Sequence, residues 1–441
     1  MTRPVLLAGA ALACIAVLVS AWLLRGAASP APAEPRPAAP AATRISLYHY
    51  WDDSFGSMRD AVANEVQTCN QTRPISRLVV TPVAHEAFKV NAPAMLAASS
   101  GSELYSWWAG WRTRDLEDRD LLAPLDAWWT AAQADQRFTA GVIEQACTYR
   151  GRRCLLPLAQ SYIGFFYNMA VFTEAGLAPP TTWVEFLAAC RALRGRGINP
   201  IALGTSARWP AQFWFDYLLL RTAGPDFRRR LLEGELEWTE PAVIRAFAMW
   251  RELIELGAFN PNPNGSDWLE AAKLVHTRGA AMILMGTWAM DPYAAMGWQG
   301  NQDYGWFPFP AIDAGIPATT LTVIDGLILA AGACDQAALA ATLDHFASPE
   351  TQLTLAKASG SFAPHTGIGP ERYDRLRHSI RASIGDSVAT PYDLATPPEA
   401  ERIGLDAMVR FIDQPQQAAS ILAATAERLA ACFAARKAAK R

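Results

Sequence analysis

From about residue 44, where the folded body begins, short apolar runs typical of strands alternate with segments that have the apolar spacing of helices. Short apolar runs typical of strands lie at 44–51, 77–81 and 104–107. Between them, residues 57–69 and 85–98 place apolar side chains at helical spacing. Because strands and helices follow each other in turn, the pattern predicts an α/β fold with a largely parallel sheet.

The same kinds of signal continue through the rest of the chain. Thr182, followed three residues later by Glu185, predicts a capping box at the start of an apolar-periodic helix. Pro241 begins another predicted helix, whose apolar spacing places Trp250 on the buried face. Residues 279–285 and 322–330 are continuous apolar runs, and we interpret them as buried strands.

An apolar segment precedes the body. Residues 4–24 form a run of about 20 residues, enough to span a bilayer and longer than the apolar region of a typical signal peptide. Three interpretations of residues 1–25 are open: an uncleaved membrane anchor, a cleaved signal peptide, and a lipoprotein signal that ends before Cys14. Residues 26–43 are rich in Pro and Ala and predict a semi-stiff linker. All three interpretations place the body in the periplasm or elsewhere outside the cytoplasm.

Composition narrows the classes of function. The chain has 441 residues, of which 51% are apolar, and a formal net charge of −3. This length is enough for a two-lobed molecule with a sizeable core. The sequence contains no stripe of basic residues, and this argues against a nucleic-acid partner. The 16 Trp against 6 His favour ligand stacking over acid–base chemistry, although most of the Trp are expected in the core.

Two cysteines are placed symmetrically about a turn signal. Cys147 and Cys154 flank Arg150 and Gly151, which predict a two-residue hairpin turn. In that register the two Cβ atoms are opposed across the strands, within disulfide range. Because export favours oxidation, the sequence predicts a disulfide between Cys147 and Cys154. The pairing of four others stays unassigned: Cys69, Cys190, Cys334 and Cys432.

The middle of the chain carries the most distinctive motif. It reads FFYN at 165–168, AGL at 175–177, TTWVEF at 181–186 and NPIALG at 199–204. This order resembles the extracellular solute-binding proteins of bacterial ABC importers, in particular the large carbohydrate-binding family that includes maltose- and glucose-binding proteins. The resemblance extends over essentially the whole chain after residue 44 and is thin towards the C-terminus.

The resemblance implies a type II periplasmic-binding-protein fold with two lobes and three hinge crossovers. The crossovers are expected near residues 157–162, 319–322 and 363–366. The implied lobes are an N-lobe of 44–156 plus 322–362 and a C-lobe of 157–321 plus 363–438. A monomer is expected.

No enzyme signature accompanies these motifs. The sequence contains no His-Glu-x-x-His, no Gly-x-Ser-x-Gly, no glycine-rich phosphate loop and no cysteine pair with zinc spacing. We therefore expect no catalytic residues, no cofactor and no metal. A sugar site needs other features: aromatic rings for the C–H faces of the sugar and convergent polar groups for its hydroxyls. An unpaired buried hydroxyl costs ~1–3 kcal/mol, so several polar partners are required.

The resemblance places the candidate ligand-binding residues at strand ends in both lobes. The aromatic candidates, expected to stack on the sugar, are Trp51, Trp108, Trp209 and Trp288. The polar candidates, expected to hydrogen-bond to hydroxyls, are Asp52, Asp53, Ser106, Asp325 and His365.

The resemblance implies a protein that binds a carbohydrate between two lobes and delivers it to ABC-transporter permease subunits. A sugar-sensing ectodomain of a signalling system, built on the same fold, is the alternative from another class. The identity of the ligand stays open among sugars, polyols and sugar phosphates, since Arg112, Arg114 and Arg208 could serve a phosphate.

Overall fold

The computed structural model describes residues 42–332, 335–385 and 387–439. The apolar segment 1–25, nearly all of the predicted linker 26–43 and Cys334 lie outside the described residues, so the expectations for them stay predictions.

The strands are β1 (Thr43–His49), β2 (Ser76–Pro82), β3 (Glu103–Trp108), β4 (Thr148–Tyr149), β5 (Arg152–Arg153), β6 (Leu156–Asn168), β7 (Asn199–Ala202), β8 (Ala280–Gly286), β9 (Tyr304–Phe307), β10 (Thr320–Leu329) and β11 (Val388–Ala389). The helices of the first half of the chain are α1 (Gly56–Thr72), α2 (His85–Ala97), α3 (Trp111–Asp118), α4 (Asp126–Ala131), α5 (Ala140–Val142), α6 (Met169–Ala175), α7 (Trp183–Gly195), α8 (Gln212–Thr222) and α9 (Gly224–Leu232). Those of the second half are α10 (Pro241–Glu255), α11 (Trp268–His276), α12 (Met290–Ala295), α13 (Gln336–Phe346), α14 (Pro349–Ala358), α15 (Arg375–Ser383), α16 (Tyr392–Ala395), α17 (Pro398–Asp413) and α18 (Ala418–Ala439).

Within the described residues, nine of these strands form one mixed sheet. Its order is β2-β1-β3-β10-β6-β8-β7, with β9 also paired to β6 and β11 to β10. The pairs β1–β2, β1–β3, β7–β8 and β10–β11 are parallel. The central pairs that involve β6, and the pair of β10 with β3, are antiparallel. The α/β prediction is confirmed, but the sheet is mixed because the two long central strands run in opposite directions.

The sheet changes partners in the middle of its central strands. Residues 156–162 of β6 pair with β10, whereas residues 163–168 pair with β8 and β9. We call the part of the sheet that contains β1, β2 and β3 the N-side, and the part that contains β7, β8 and β9 the C-side. Trp108, the last residue of β3, pairs with Asp325, and Gly286, the last residue of β8, pairs with Ile163. The carboxyl ends of strands from both sides therefore meet at one place.

The predicted helix signals are present in the structure. Thr182 Oγ1 accepts from the Glu185 amide, and the Glu185 carboxylate accepts from the Thr182 amide, which completes the capping box of α7. Pro241 is the first residue of α10, and Trp250 on that helix is fully buried, as its spacing predicted. The apolar spacing of a single sequence was sufficient for these elements because their own buried faces define them.

The structure corrects the predicted disulfide. The hairpin exists, with Arg150 and Gly151 at φ +50° and +78°, and the Cys154 amide donates to the Cys147 carbonyl oxygen at 2.9 Å. Both cysteines are nevertheless free thiols. The strand pairing begins only at Thr148, because Cys147 ends a π-helical turn, and its Sγ lies 3.6 Å from the Val142 carbonyl oxygen. The Cys147 side chain is therefore not aimed across the hairpin.

The C-terminal helix lies where the resemblance was thin. By length and composition alone, one described helix, Pro415–Ala438, is long and apolar enough to cross a membrane. Its Ile421, Leu422 and Leu429 are buried within the body. Gly234 contacts the ring of Phe433 so closely that a Cβ there would collide.

Candidate functional site

A cavity collects side chains from both sides of the sheet. Between its walls lies about 690 Å³ of space free of protein atoms, a volume that includes open solvent. Its aromatic walls are Tyr50, Trp51, Phe55, Trp108, Trp209, Phe213 and Trp288. Its polar lining is His85, Lys89, Arg112, Ser161, Gln212, Asp325, Ser359, Ser361 and Asp393.

The four predicted tryptophans follow strands at the edge where the two sides meet. Trp108 ends β3, and Trp51 lies two residues after β1. Trp288 lies in the 3₁₀ turn after β8, and Trp209 begins the 3₁₀ turn before α8. Loops at the carboxyl ends of strands are the usual ligand site in open α/β sheets. The structure places all four rings on the cavity wall.

The aromatic rings are fixed by one another. Tyr50 stacks on Trp108, with ring centroids 4.1 Å apart and planes 18° apart. On the C-side, Trp209 contacts Trp288 edge-on at 6.0 Å. The indole nitrogens of Trp209 and Trp288 are buried and have no hydrogen-bond partner among the described residues. Each can donate to an oxygen atom of a bound molecule, and a buried donor without an acceptor costs ~1–3 kcal/mol.

Asp325 is the acidic group at the centre of the sheet. It lies on β10 beside a bulge of β6, where Leu158 is left unpaired and the register of the two strands shifts. Its Oδ1 accepts a hydrogen bond from the Tyr50 hydroxyl. Burial raises the pKa of Asp325 to about 7, and the Tyr50 hydrogen bond opposes that rise. The carboxyl therefore changes charge near neutral pH, in contact with the cavity.

Two basic side chains line the N-side of the cavity, and each has an acidic partner. Lys89 Nζ on α2 donates to Glu86 Oε1 at 3.0 Å, and burial lowers the pKa of Lys89. Arg112 Nη2 on α3 donates to Glu401 Oε1 on α17 at 2.6 Å. The Arg112 Nε is buried and has no partner among the described residues. Lys89 also keeps donors that no described residue uses, so both cations can donate to a ligand.

Polar groups of the C-side come from α8 and α16. The Asp393 backbone amide donates to Gln212 Oε1 at 2.7 Å, which fixes the Gln212 side chain relative to the backbone of α16. A buried ion pair holds the segment that carries Asp393. Arg228 donates through Nε to Asp216 Oδ1 and through Nη2 to the Thr390 carbonyl oxygen, both at 2.7 Å. Asp216 Oδ2 also accepts from the Tyr392 amide at 2.8 Å.

Four predicted site residues lie outside the cavity lining. Asp52 caps the 3₁₀ turn Asp53–Phe55 and accepts from the His85 amide at 2.9 Å, so its oxygens are used by the backbone. The Asp53 side chain is 95% exposed and pairs with Arg59. Ser106 is buried and accepts from the Tyr50 amide at 3.1 Å.

His365 is the fourth residue outside the lining. Its Nδ1 accepts from the Gly367 amide at 2.9 Å, and its ring packs edge-on against Phe138. Burial lowers the pKa of His365. The side chain stabilises its own loop, while Ser361, four residues earlier, lines the cavity and lies 2.6 Å from Ser161 Oγ.

Sequence reasoning missed several polar lining residues. Lys89 lies on an amphipathic helix beside Phe88, where a lysine is ordinarily interpreted as solvent-facing. Gln212 lies on an apolar helix and carries no motif. Asp393 belongs to the four-residue helix α16 in the C-terminal region, where the resemblance is thin. Among the described residues, no group of three His, Cys, Asp or Glu side chains has the arrangement of a metal site.

The profile of the bacterial extracellular solute-binding protein family matches residues 55–353. That range includes most of the sheet and the cavity residues Trp108, Trp209, Trp288 and Asp325. The chain belongs to this family. The family resemblance inferred from the motifs at 165–204 is thereby confirmed.

Relatives of the solute-binding family agree with this assignment. An ABC transporter extracellular-binding protein of Pyrococcus horikoshii is 25% identical over 349 residues, which cover 78% of this chain and 76% of the relative. Among solved structures, the bacterial solute receptor AcbH has a TM-score of 0.80 at 25% identity, covering 89% of this chain and 99% of the receptor. AcbH has an exclusive substrate preference for β-D-galactopyranose.

A second solved structure is similar in fold alone. A chitin oligosaccharide binding protein has a TM-score of 0.78 at 22% identity, and the superposition covers 88% of this chain and 99% of that protein. The fold of this solute-binding protein therefore matches known two-lobed structures. The family and these neighbours are binding proteins rather than enzymes.

Proposed function

We propose that this protein binds a carbohydrate in the cavity between its two lobes and delivers it to the permease subunits of an ABC importer. The observation that carries the proposal is the composition of the cavity wall. Trp51 and Trp108 from the N-side face the same space as Trp209 and Trp288 from the C-side, with Asp325 between the two sides. Aromatic walls with a few convergent polar groups suit the apolar faces and the hydroxyls of a sugar.

The polar groups of the cavity fit hydroxyl recognition. Asp325 and Asp393 can accept hydroxyl protons, while Lys89, Arg112 and Gln212 can donate to hydroxyl oxygens. Donors and acceptors of both kinds are needed because each sugar hydroxyl donates one proton and accepts through its lone pairs. The substrate preference of AcbH for a sugar supports the same ligand class.

The proposal includes the two lobes as they were expected from the sequence. The N-lobe comprises 44–156 and 322–362, and the C-lobe comprises 157–321 and 363–438. The change of partners in β6 at residues 162–163 supports a hinge there. A ligand that contacts both lobes favours the closed arrangement over the open one, so closure is a population shift. The protein acts by capture and delivery and catalyses no reaction.

A thermal-shift screen against mono- and oligosaccharides tests the proposal directly. A ligand at 100 times its dissociation constant stabilises the folded protein by ~2.7 kcal/mol, which is readily measured as a higher melting temperature. Calorimetry on the strongest hits then gives the stoichiometry, expected to be one. If no carbohydrate of any length stabilises the protein, the proposed ligand class is wrong.

The location is proposed to be extracytoplasmic, with residues 1–25 directing export or anchoring. Cell fractionation and the intact mass of the mature chain distinguish an anchor from a cleaved signal peptide. The sensing alternative has no observation in its favour among the described residues, so transport alone is proposed.

A further inference from the structure

The cavity is narrow between its two sides. The ammonium nitrogen of Lys89 lies 5.7 Å from the ring centroid of Trp108 and 5.8 Å from that of Trp209. The two centroids are therefore at most about 11.5 Å apart, the sum of those distances. A sugar ring that contacts an aromatic ring on each face needs about 7–8 Å, because touching carbon atoms are ~3.5–4.0 Å apart. By the same spacing, a stack of three sugar rings is too thick for this gap.

One end of the cavity is closed by an ion pair. Arg112 on α3 and Glu401 on α17 are joined at 2.6 Å, and their side chains are 11% and 10% exposed. Beside this pair, Gly110 has φ +98° and lies so close to the Leu394 carbonyl oxygen that a Cβ would collide with it. Leu394 lines the cavity on one side and, on the other, an outer groove that contains Trp111. Leu394 thus lies in the wall between the cavity and that groove, and Arg112 lines the cavity at the same end.

The other end is closed by aromatic rings. The rings of Phe55, from the N-side, and Trp268, on α11, are 5.5 Å apart at their centroids. Trp268 in turn lies 6.5 Å from Trp209. The residues at both ends come from elements on the two sides, so each end wall is completed by contacts between the two sides.

We propose that the site accepts a single monosaccharide, and that the Arg112–Glu401 ion pair excludes a second sugar unit at its end of the cavity. This inference rests on the proposed carbohydrate-binding function. An oligosaccharide that extended past Leu394 would have to separate the ion pair. Separating a buried pair leaves two charges without partners, which is among the costly changes in a protein interior.

Calorimetry with matched sugars tests the proposal on the wild-type protein. The probes are D-glucose with maltose, D-galactose with lactose, and D-xylose with xylobiose. We expect the best monosaccharide to bind at least ~100-fold more tightly than its disaccharide, since the disaccharide must break the buried pair. A disaccharide that binds as tightly as its monosaccharide overturns the size limit while leaving carbohydrate binding intact. Absence of binding by every sugar tested instead overturns the proposed function.

The ion pair is tested by removing both of its members. The double variant Arg112→Ala/Glu401→Ala leaves no unpaired buried charge, and it should raise the ratio of disaccharide to monosaccharide affinity at least tenfold. The matched control is Arg245→Ala/Asp313→Ala, an ion pair outside the cavity with side chains 49% and 33% exposed. The control should keep the wild-type ratio. If the ratio of disaccharide to monosaccharide affinity is unchanged in the first variant, the ion pair does not exclude the second sugar unit. If that variant does not fold, the comparison of matched sugars on the wild-type protein still tests the size limit.

Discussion

The raised pKa of Asp325 predicts that ligand affinity increases with pH. Burial raises the pKa of the ligand-free carboxyl to about 7, and the hydrogen bond from the Tyr50 hydroxyl opposes that rise. Hydroxyl groups of a bound sugar donate to the carboxylate form, so binding stabilises the charged state. The bound carboxyl should then titrate near its ordinary value of ~3.9. Below pH 7 the protein must release a proton in order to bind, and the affinity falls.

The size of the effect follows from the two pKa values. At pH 8 almost all ligand-free protein already carries the carboxylate, so no cost arises. At pH 5 the carboxyl is two units below its pKa, and removing its proton costs about 2.7 kcal/mol. The dissociation constant should therefore be up to ~100-fold larger at pH 5 than at pH 8.

Few other groups in or beside the cavity titrate in this window. Burial lowers the pKa of both His49 and His85 to about 4, so these imidazoles are neutral from pH 5 to 8. Glu401 is the exception, because burial raises its pKa to about 7 against the attraction of Arg112. The Glu401→Gln variant therefore has to be measured beside Asp325→Asn.

Calorimetry at pH 5, 6, 7 and 8 with the best sugar measures the dependence. The wild type should show the increase in affinity, Asp325→Asn should bind more weakly and lose most of the pH dependence, and Glu401→Gln should retain it. An affinity that is flat or falls with pH in the wild type refutes the assignment of Asp325 as a hydroxyl acceptor. A falling affinity would indicate instead that the neutral carboxyl donates to the ligand, and a flat one that the ligand binds both forms equally.

The stability of the ligand-free protein should show the opposite trend. The Asp325 carboxyl keeps its proton to about pH 7 in the folded state, but only to ~3.9 in the unfolded chain. The folded state therefore binds more protons between these values, and its stability falls as pH rises through this range. Asp325→Asn should remove that part of the pH dependence of the melting temperature.

Further predictions concern the walls, the thiols, the hinge and the ion pair beneath the site. Trp288→Ala should weaken sugar binding by at least ~1 kcal/mol, whereas Trp298→Ala, outside the cavity, should not. If Trp288→Ala binds the sugar as tightly as the wild type, Trp288 does not contact the ligand. Cys147 and Cys154 should both alkylate without reductant once the protein is unfolded, and a linked peptide in mass mapping would contradict this. Saturating sugar should reduce the radius of gyration in solution scattering, and an unchanged value would argue against lobe closure. Arg228→Ala should lower the free energy of unfolding by ~3–5 kcal/mol in urea titration, because the buried carboxylate of Asp216 is left without a counter-charge; a loss below 1 kcal/mol would contradict that role.

The sequence by itself determined the parts of this protein that depend on local order. The alternation of periods at 44–107 indicated an α/β fold, and the motifs at 165–204 indicated the solute-binding family. The helix that begins at Pro241 and contains Trp250 was predictable, because the spacing of the apolar residues on its buried face can be seen within one short stretch of sequence. The aromatic candidates Trp51, Trp108, Trp209 and Trp288 followed from the family resemblance, which is carried by short motifs of adjacent residues.

Only the tertiary structure decided which polar groups share the cavity with those rings. Lys89, Arg112, Gln212 and Asp393 come from helices far apart in the chain, and each has an ordinary surface or core role when its own helix is considered alone. The same distinction explains the residues predicted wrongly. Cys147 and Cys154 are in register, but a π-helical turn before the hairpin directs one thiol elsewhere. Side-chain direction and long-range pairing depend on neighbours in space, which a single sequence does not specify.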